Sequence, residues 1–305
     1  MEKTVKESLS SNIHIKKTRF VVLTFFLGFL IIPRVAGTSG LFAGKSGKEA
    51  KLMQQQPGTK KYPIFGKKYE SVELKTSILK GAVYYLVSGH GGPDPGAMGK
   101  YAGHVLCEDE YAYDITLRLA RNLVENGATV FMITRDPDDG IRDESFLAPD
   151  KDEVCFPNKA IPLNQLKRLD QRKEAVNRLY RENKGAFQRM AAIHVDSRSH
   201  HQNIDVFFYH DKQSKSGQKA ATILCQTFRG KYNKNQPGRG YGGTVSARNL
   251  YELKNTFPVA VYIELGNINH LRDQQRFILM NNRQAVANWL AEGFIADFRK
   301  NKQGL

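Results

Sequence analysis

The sequence predicts an α/β domain of three layers, a mostly parallel mixed sheet flanked by helices. Three observations predict it. Short apolar runs rich in β-branched and aromatic residues alternate with amphipathic segments of helical period from residue 81 onward. Such strand–helix alternation is the signature of parallel sheets covered on both faces. No self-similarity recurs at a period of about 20–50 residues, which excludes a solenoid.

Each element has its own warrant. Val83–Val87 reads as a buried strand, closed by the glycine- and proline-rich "SGHGGPDPGAMG" of residues 88–99. "EDEYAYDITLRLARNLVENG" follows as a helix with Ile115, Leu119 and Leu123 on one face and Gly127 as its stop. "ATVFMIT" is a strand, and "NQLKRLDQRKEAVNRLYREN" is an amphipathic helix. "MAAIHV" and "IDVFFY" are strands, "SGQKAATILCQTFRG" a helix and "VAVYIEL" a further strand. "DQQRFILMNNRQAVANWLAEGFIADFRK" is helical with a break expected near Asn281–Asn282. The stretch 137–163 is too long for a routine connection and is expected to form a flap or rim.

Ahead of this body stand two further segments. Lys16, Lys17 and Arg19 precede the 13-residue apolar run Phe20–Ile32, and small residues follow it. That order matches a secretory signal and is short for a membrane span of about 20 residues. Residues 1–37 are therefore read as a signal peptide or signal anchor, 38–75 as a flexible basic linker, and 76–305 as the folded domain. The expected location is periplasmic or extracellular, with membrane attachment through residues 20–32 if the leader stays uncut.

The net charge of +16 belongs mainly to the leader and linker. Residues 1–80 carry fifteen Lys and Arg against five Asp and Glu, whereas the remaining 225 carry thirty-one against twenty-five. A mildly basic body suits an anionic polymer or no partner at all, and no nucleic-acid-binding motif is present. Cys107, Cys155 and Cys225 form no CxxC pair; they are either one disulfide with a spare thiol or three free buried thiols.

Three strands end alike: "YYLVSGH" on His90, "MAAIHV" beside His194 and "VYIEL" beside Glu264. Parallel strands present their carboxyl ends to one sheet edge, where open α/β sheets hold ligands. Glu108, at the start of the first helix, returns to the same edge. Two imidazoles and a carboxylate with an open position are the ligand set of a catalytic zinc site, and a second carboxylate supplies the base for hydrolysis. Singly, the histidines read as hydrogen-bonded loop or core residues, and Glu108 as a helix-dipole acid. Glu264 is harder to dismiss, because an unpaired carboxylate in a buried strand is costly. Asp94 is either an acceptor that orients His90 or a turn residue. His200 and His201 are adjacent, so an extended segment points them to opposite faces, which argues against a shared second metal site.

From about Val83 to Phe298 the chain resembles the zinc-dependent N-acetylmuramoyl-L-alanine amidases of the amidase-3 type, which hydrolyse bacterial peptidoglycan. "GHGGPDPGAMG" looks like the family's opening motif, "EDEYAYDITLRLARNL" like its first helix, "AAIHVDS" like its third-ligand strand and "NTFPVAVYIELGNINH" like the segment of its catalytic glutamate. The resemblance implies Zn2+ on His90, Glu108 and His194, with Glu264 as catalytic residue and Glu110 as the competing assignment for the second ligand. It implies cleavage of the amide between N-acetylmuramic acid and L-alanine in cell-wall remodelling or daughter-cell separation, with peptidoglycan as partner and a protein activator beside it. The alternatives are a carboxypeptidase-like zinc peptidase and an inactive wall-binding protein. Three departures stand out. Asn267 replaces the usual aromatic or aliphatic residue, the 137–163 stretch is longer than the family's connection, and only the short run Ser197–Asn203 follows the third-ligand strand. No wall-binding repeat flanks the domain.

Overall fold

The computed structural model describes residues 58–303. The expectations for the leader and for residues 38–57 fall outside them. Six strands form the main sheet: β1 (Ala82–Ser88), β2 (Thr129–Met132), β3 (Phe187–Asp196), β4 (Phe207–His210), β5 (Val245–Ala247) and β6 (Val259–Asn267). Their spatial order is β5-β4-β6-β3-β1-β2. All neighbours run parallel except β4, which is antiparallel to β6. The helices are α1 (Glu108–Glu125), α2 (Gln165–Glu182), α3 (Lys215–Asn235), α4 (Tyr251–Asn255), α5 (Leu271–Ile278) and α6 (Met280–Gln303).

The period-2 alternation of the strands sorts their side chains between two cores. Tyr84, Leu86, Ala191, Ile193, Val261 and Ile263 pack with α1, α3 and α6. Val83, Tyr85, Val87, Met190, Ala192 and Ala260 face the other way, toward α2 and α4. Both faces of the central strands are covered, which is why these strands read as near-continuous apolar runs. The three layers expected from the sequence are present.

Local chemistry sets the helix ends. Asn164 Oδ1 accepts from the Lys167 amide at 3.0 Å and Ser214 Oγ from the Gly217 amide at 2.9 Å, capping α2 and α3. Glu108, Asp109 and Glu110 open α1, where the helix dipole favours anions. Asp114, fully buried one turn on, accepts from Arg118 Nε at 2.8 Å, Arg283 Nε at 2.6 Å and the Arg142 amide at 2.8 Å. It fastens α1 to α6 and to the segment after β2.

Four features refine or correct the expectation. Residues 58–75, taken as the end of a flexible linker, are folded: Thr59–Lys61 pairs with Ser71–Glu73, and Phe65 and Val72 sit in the core. Their apolar residues are too sparse to show a period, yet two anchors suffice to dock the segment. The last helical stretch breaks near the expected place, at Leu279, which is extended, just ahead of Asn281–Asn282. The glycine loop is followed by a hairpin, Met98–Tyr101 with His104–Cys107, that its residues do not announce. The stretch 137–163 carries a small sheet in which Val154–Cys155 bridges Thr134–Arg135 and Lys159–Ala160. All three cysteines are free and buried, so of the two readings the thiols stand. No helix among the described residues is long and apolar enough to cross a membrane.

Candidate active site

The carboxyl ends of β1, β3 and β6 meet at one edge, as the parallel register requires. Ile193 pairs with Ser88, and His194 lies opposite Glu264 on the neighbouring strand. The Gly89 amide donates to the Ile193 carbonyl at 2.7 Å, which carries the chain past the end of β1 to His90. His90 itself takes φ 63°, a strained conformation for a residue with a Cβ. Two glycines make room for the imidazoles. A Cβ at Gly89 would lie 2.3 Å from the His194 ring, and one at Gly96, which has φ 70°, would lie 2.7 Å from both the His90 ring and Glu108 Oε2.

His90, Glu108 and His194 each bring one donor atom to within 4.8 Å of the others. Glu108 is the hub. Its Oε1 lies 2.9 Å from His194 Nδ1 and its Oε2 3.3 Å from His90 Nε2. The same oxygens accept from the Val195 amide at 2.9 Å and the Ala97 amide at 2.8 Å. Each imidazole turns its other nitrogen to a further carboxylate. His90 Nδ1 meets Asp94 Oδ2 at 3.0 Å, and His194 Nε2 stands 3.9 Å from Glu252 Oε2. Asp94 thus orients the ring, and it is held in turn by Arg168. The Arg172 guanidinium donates to the His90 carbonyl, and the Tyr262 ring stacks on His194 with centroids 4.3 Å apart.

The electrostatics follow from this packing. Burial works against a charge on His90, but the Asp94 and Glu108 carboxylates outweigh it and push its pKa up to about 10. Burial also opposes ionisation of Glu108, yet His194 and His90 hold its carboxyl well below the usual range. Glu264 goes the other way: burial, then the charges of Glu108 and Asp196, raise it well above an ordinary carboxyl. Its Oε2 is buried without a hydrogen-bond partner, as are His194 Nε2 and Glu252 Oε1.

Of the residues expected from the sequence, His90, Glu108 and His194 come together, with Glu264 beside them. Glu110 does not join them: it pairs with Arg142 at 2.7 Å on the far side of α1's first turn. His200 and His201 are exposed, and His200 Nδ1 meets the Asn269 carbonyl at 2.8 Å. Asn267 earns its place in the fold. Fully buried, its amide donates to the Ser199 and Gln202 carbonyls and accepts from the Arg198 and Asn269 amides, pinning the short run after β3. Glu252, Arg172 and Tyr262 had no sequence signal of their own. Only a charged residue on the apolar side of "NLYELKN" hints at Glu252.

Two imidazoles and a carboxylate match the borderline-soft chemistry of Zn2+, and buried, unpartnered polar atoms border the cluster. The residues therefore fit such an ion. A cleft of about 180 Å³ opens on them, lined by Arg168, Arg172, Glu252 and Tyr262. Among the described residues, larger clefts elsewhere, such as one of about 1160 Å³ along residues 58–65, hold no comparable cluster.

A three-layer α/β domain with a His/Glu/His cluster and a spare carboxylate at the sheet edge defines a class, the α/β proteins that gather polar side chains at the carboxyl ends of parallel strands. The particular family follows from comparison. The profile of Amidase_3, N-acetylmuramoyl-L-alanine amidase, matches residues 85–296, and the chain belongs to this family. Among solved structures it is similar to the CwlD amidase of Clostridioides difficile in complex with the GerS lipoprotein, at 20% identity and TM-score 0.53 over 70% of this chain and 97% of that one. The N-acetylmuramyl-L-alanine amidase Ami1 of Mycobacterium smegmatis aligns at 16% identity and TM-score 0.52, covering 73% of this chain and 99% of that one. At these identities the likeness is one of fold. No curated protein matches the sequence.

Proposed function

We propose that the protein is a zinc-dependent amidase that hydrolyses the bond between the lactyl group of N-acetylmuramic acid and L-alanine. The observation that carries this is the His90–Glu108–His194 cluster with Glu264 in register beside His194, within a chain of the Amidase_3 family. His90, Glu108 and His194 would hold the ion. Bound zinc supplies Lewis acidity toward the amide carbonyl and toward water.

The protein's own groups do the rest. Asp94 and Arg172 fix His90 from its ring and from its carbonyl, so the strained loop presents one nitrogen only. Tyr262 holds the plane of His194. Glu264 takes the proton of the attacking water and returns a proton to the departing L-alanine nitrogen. The narrow glycine loop leaves the edge open to a bulky glycan–peptide strand.

Peptidoglycan lies outside the cytoplasm, so the enzyme acts after export, directed by residues 1–37, in wall remodelling or daughter-cell separation. CwlD was solved in complex with a lipoprotein, which supports a protein partner for this chain.

The test is digestion of purified peptidoglycan by wild type and Glu264→Gln at matched zinc content. Wild type should release stem peptides with a free L-alanine amino terminus and leave peptide-free glycan. The variant should keep its fold and zinc and lose about 10²–10⁴-fold in turnover. A variant with near-wild-type turnover removes Glu264 from the mechanism. Release of single amino acids from the peptide end would instead identify a carboxypeptidase.

A further inference from the structure

On the opposite side of α1's first turn lies a second cluster. Asp109, Glu110 and Glu153 each bring one carboxylate oxygen to within 4.8 Å of the others. They are 2%, 2% and 5% exposed, so three carboxyl groups share one dry site. Glu110 is paired with Arg142 at 2.7 Å and accepts from the Asp150 amide at 3.1 Å. Neither Asp109 nor Glu153 has an ion-pair partner among the described residues. Asp109 Oδ1 accepts from the Glu110 amide at 3.0 Å, while its Oδ2 is buried with no hydrogen-bond partner. Glu153 Oε2 accepts from the Gly92 amide. Buried carboxylates without compensation are expensive, and one Arg does not balance three of them.

We propose that Asp109, Glu110 and Glu153 form an oxygen-only cation site that binds Ca2+ and clamps the 137–163 flap to the glycine loop of His90. Three observations point to this ion. The donors are all carboxylate oxygens, which suit hard cations and not zinc. Two oxygens bound to one Ca2+ at about 2.3–2.6 Å lie at most about 5 Å apart, which the cluster satisfies. The free Asp109 Oδ2 is available to a ligand without breaking any existing hydrogen bond. Ca2+ accepts irregular carboxylate arrangements, whereas Mg2+ demands near-ideal octahedral geometry and retains waters that this buried site would have to admit. Asp136, Asp138, Asp150 and Asp152 form a separate group, three of them exposed, with Asp150 adjoining Glu110 through its amide. They make the approach to the site anionic. Because Glu153 holds the amide two residues beyond His90, occupancy of the site stiffens the loop on which His90 stands.

The experiment uses the full chain loaded with zinc. Equilibrium dialysis against radioactive calcium should give about one Ca2+ per chain. At a hundredfold excess over the dissociation constant, calcium should raise the melting midpoint by roughly 5–10 °C. Asp109→Asn and Glu153→Gln, each nearly isosteric, should weaken binding about tenfold or more and, at the same calcium concentration, remove about half of that rise or more. Should either variant fail to fold, the wild-type stoichiometry and the other variant decide. A wild type that takes up no calcium at millimolar concentration overturns the proposal, and an Asp109→Asn protein more stable than that wild type would identify a shared proton in place of the ion. Binding that survives Asp109→Asn but is lost in Asp138→Asn with Asp152→Asn overturns it too, by moving the ion to the exposed group.

Discussion

Glu108 and Asp109 are neighbours on one turn of one helix, equally buried, and they meet opposite surroundings. Glu108 faces two imidazoles and two backbone amides, so its charge is compensated on every side. Asp109 faces two more carboxylates and receives a single amide. The difference is one of donor chemistry and not of burial. A mixed nitrogen and oxygen cluster can neutralise itself by protonating a histidine, which the raised pKa of His90 reflects. An oxygen-only cluster has no such internal remedy and needs a proton or a cation from outside. Two adjacent acids thus open onto clusters of different donor chemistry, one of mixed nitrogen and oxygen and one of oxygen alone.

The largest effect expected separates the two. Replacing both His90 and His194 with Ala should remove zinc and bring amidase activity below detection while leaving calcium uptake intact. Elemental analysis of the purified variant checks this, and retention of zinc would sink the ligand assignment. Gly96→Ala comes next. The new methyl meets the His90 ring and Glu108 at a positive φ, and displacing a reacting group by about 1 Å is enough to lose about 10²-fold in rate. Peptidoglycan turnover at matched zinc measures it; a rate within twofold of wild type would show that the loop relaxes freely.

A smaller effect sharpens the picture of the histidine side. Glu252→Gln should weaken zinc affinity by roughly tenfold and leave turnover at saturating zinc nearly unchanged, since Glu252 acts on His194 and not on substrate. Competition against a chelator reads the affinity, and an unchanged value would make Glu252 a partner of Arg172 alone. The smallest effect concerns the flap. Burial, followed by the charges of Asp139 and Asp150 and partly offset by two amide donors, pushes Asp136 up to about 7. A carboxyl raised in this way favours the folded state below its ordinary pKa near 4, and that contribution is lost as pH rises through about 7. With cations chelated, Asp136→Asn should gain a few degrees of melting midpoint over wild type above pH 7 and little near pH 4. Equal midpoints at both values would refute it.

The parts of the molecule that the sequence makes legible are those with strong local patterns. The strands ending at His90, His194 and Glu264 are apolar runs, and parallel register does the rest of the work of bringing their ends together. Glu108 is legible as the first acid of the amphipathic run that forms α1, although the hairpin of residues 98–107 stands between it and the glycine loop. What escapes is held by sparse or distant contacts. The segment 58–75 docks through Phe65 and Val72, β5 is three residues long, and Glu252 reaches His194 from a five-residue helix. The acids at 109 and 153 are 44 positions apart and look like ordinary surface charge until the flap folds back. Asn267 reads as an oddity in the sequence, and its role appears only when the loop it pins is present.

The order of strands across the sheet carries a consequence for the nascent protein. β3 sits between β1 and β6, and β6 is the last strand to be made. Once residue 194 has left the ribosome, every presumed metal ligand exists, but the carboxylate of Glu264 does not. At about 5–20 residues per second, the roughly 70 residues that follow take some seconds to synthesise. During that interval the flank of β3 that will receive β6 has unpaired backbone groups, an open edge that only the last strand of the described sheet closes.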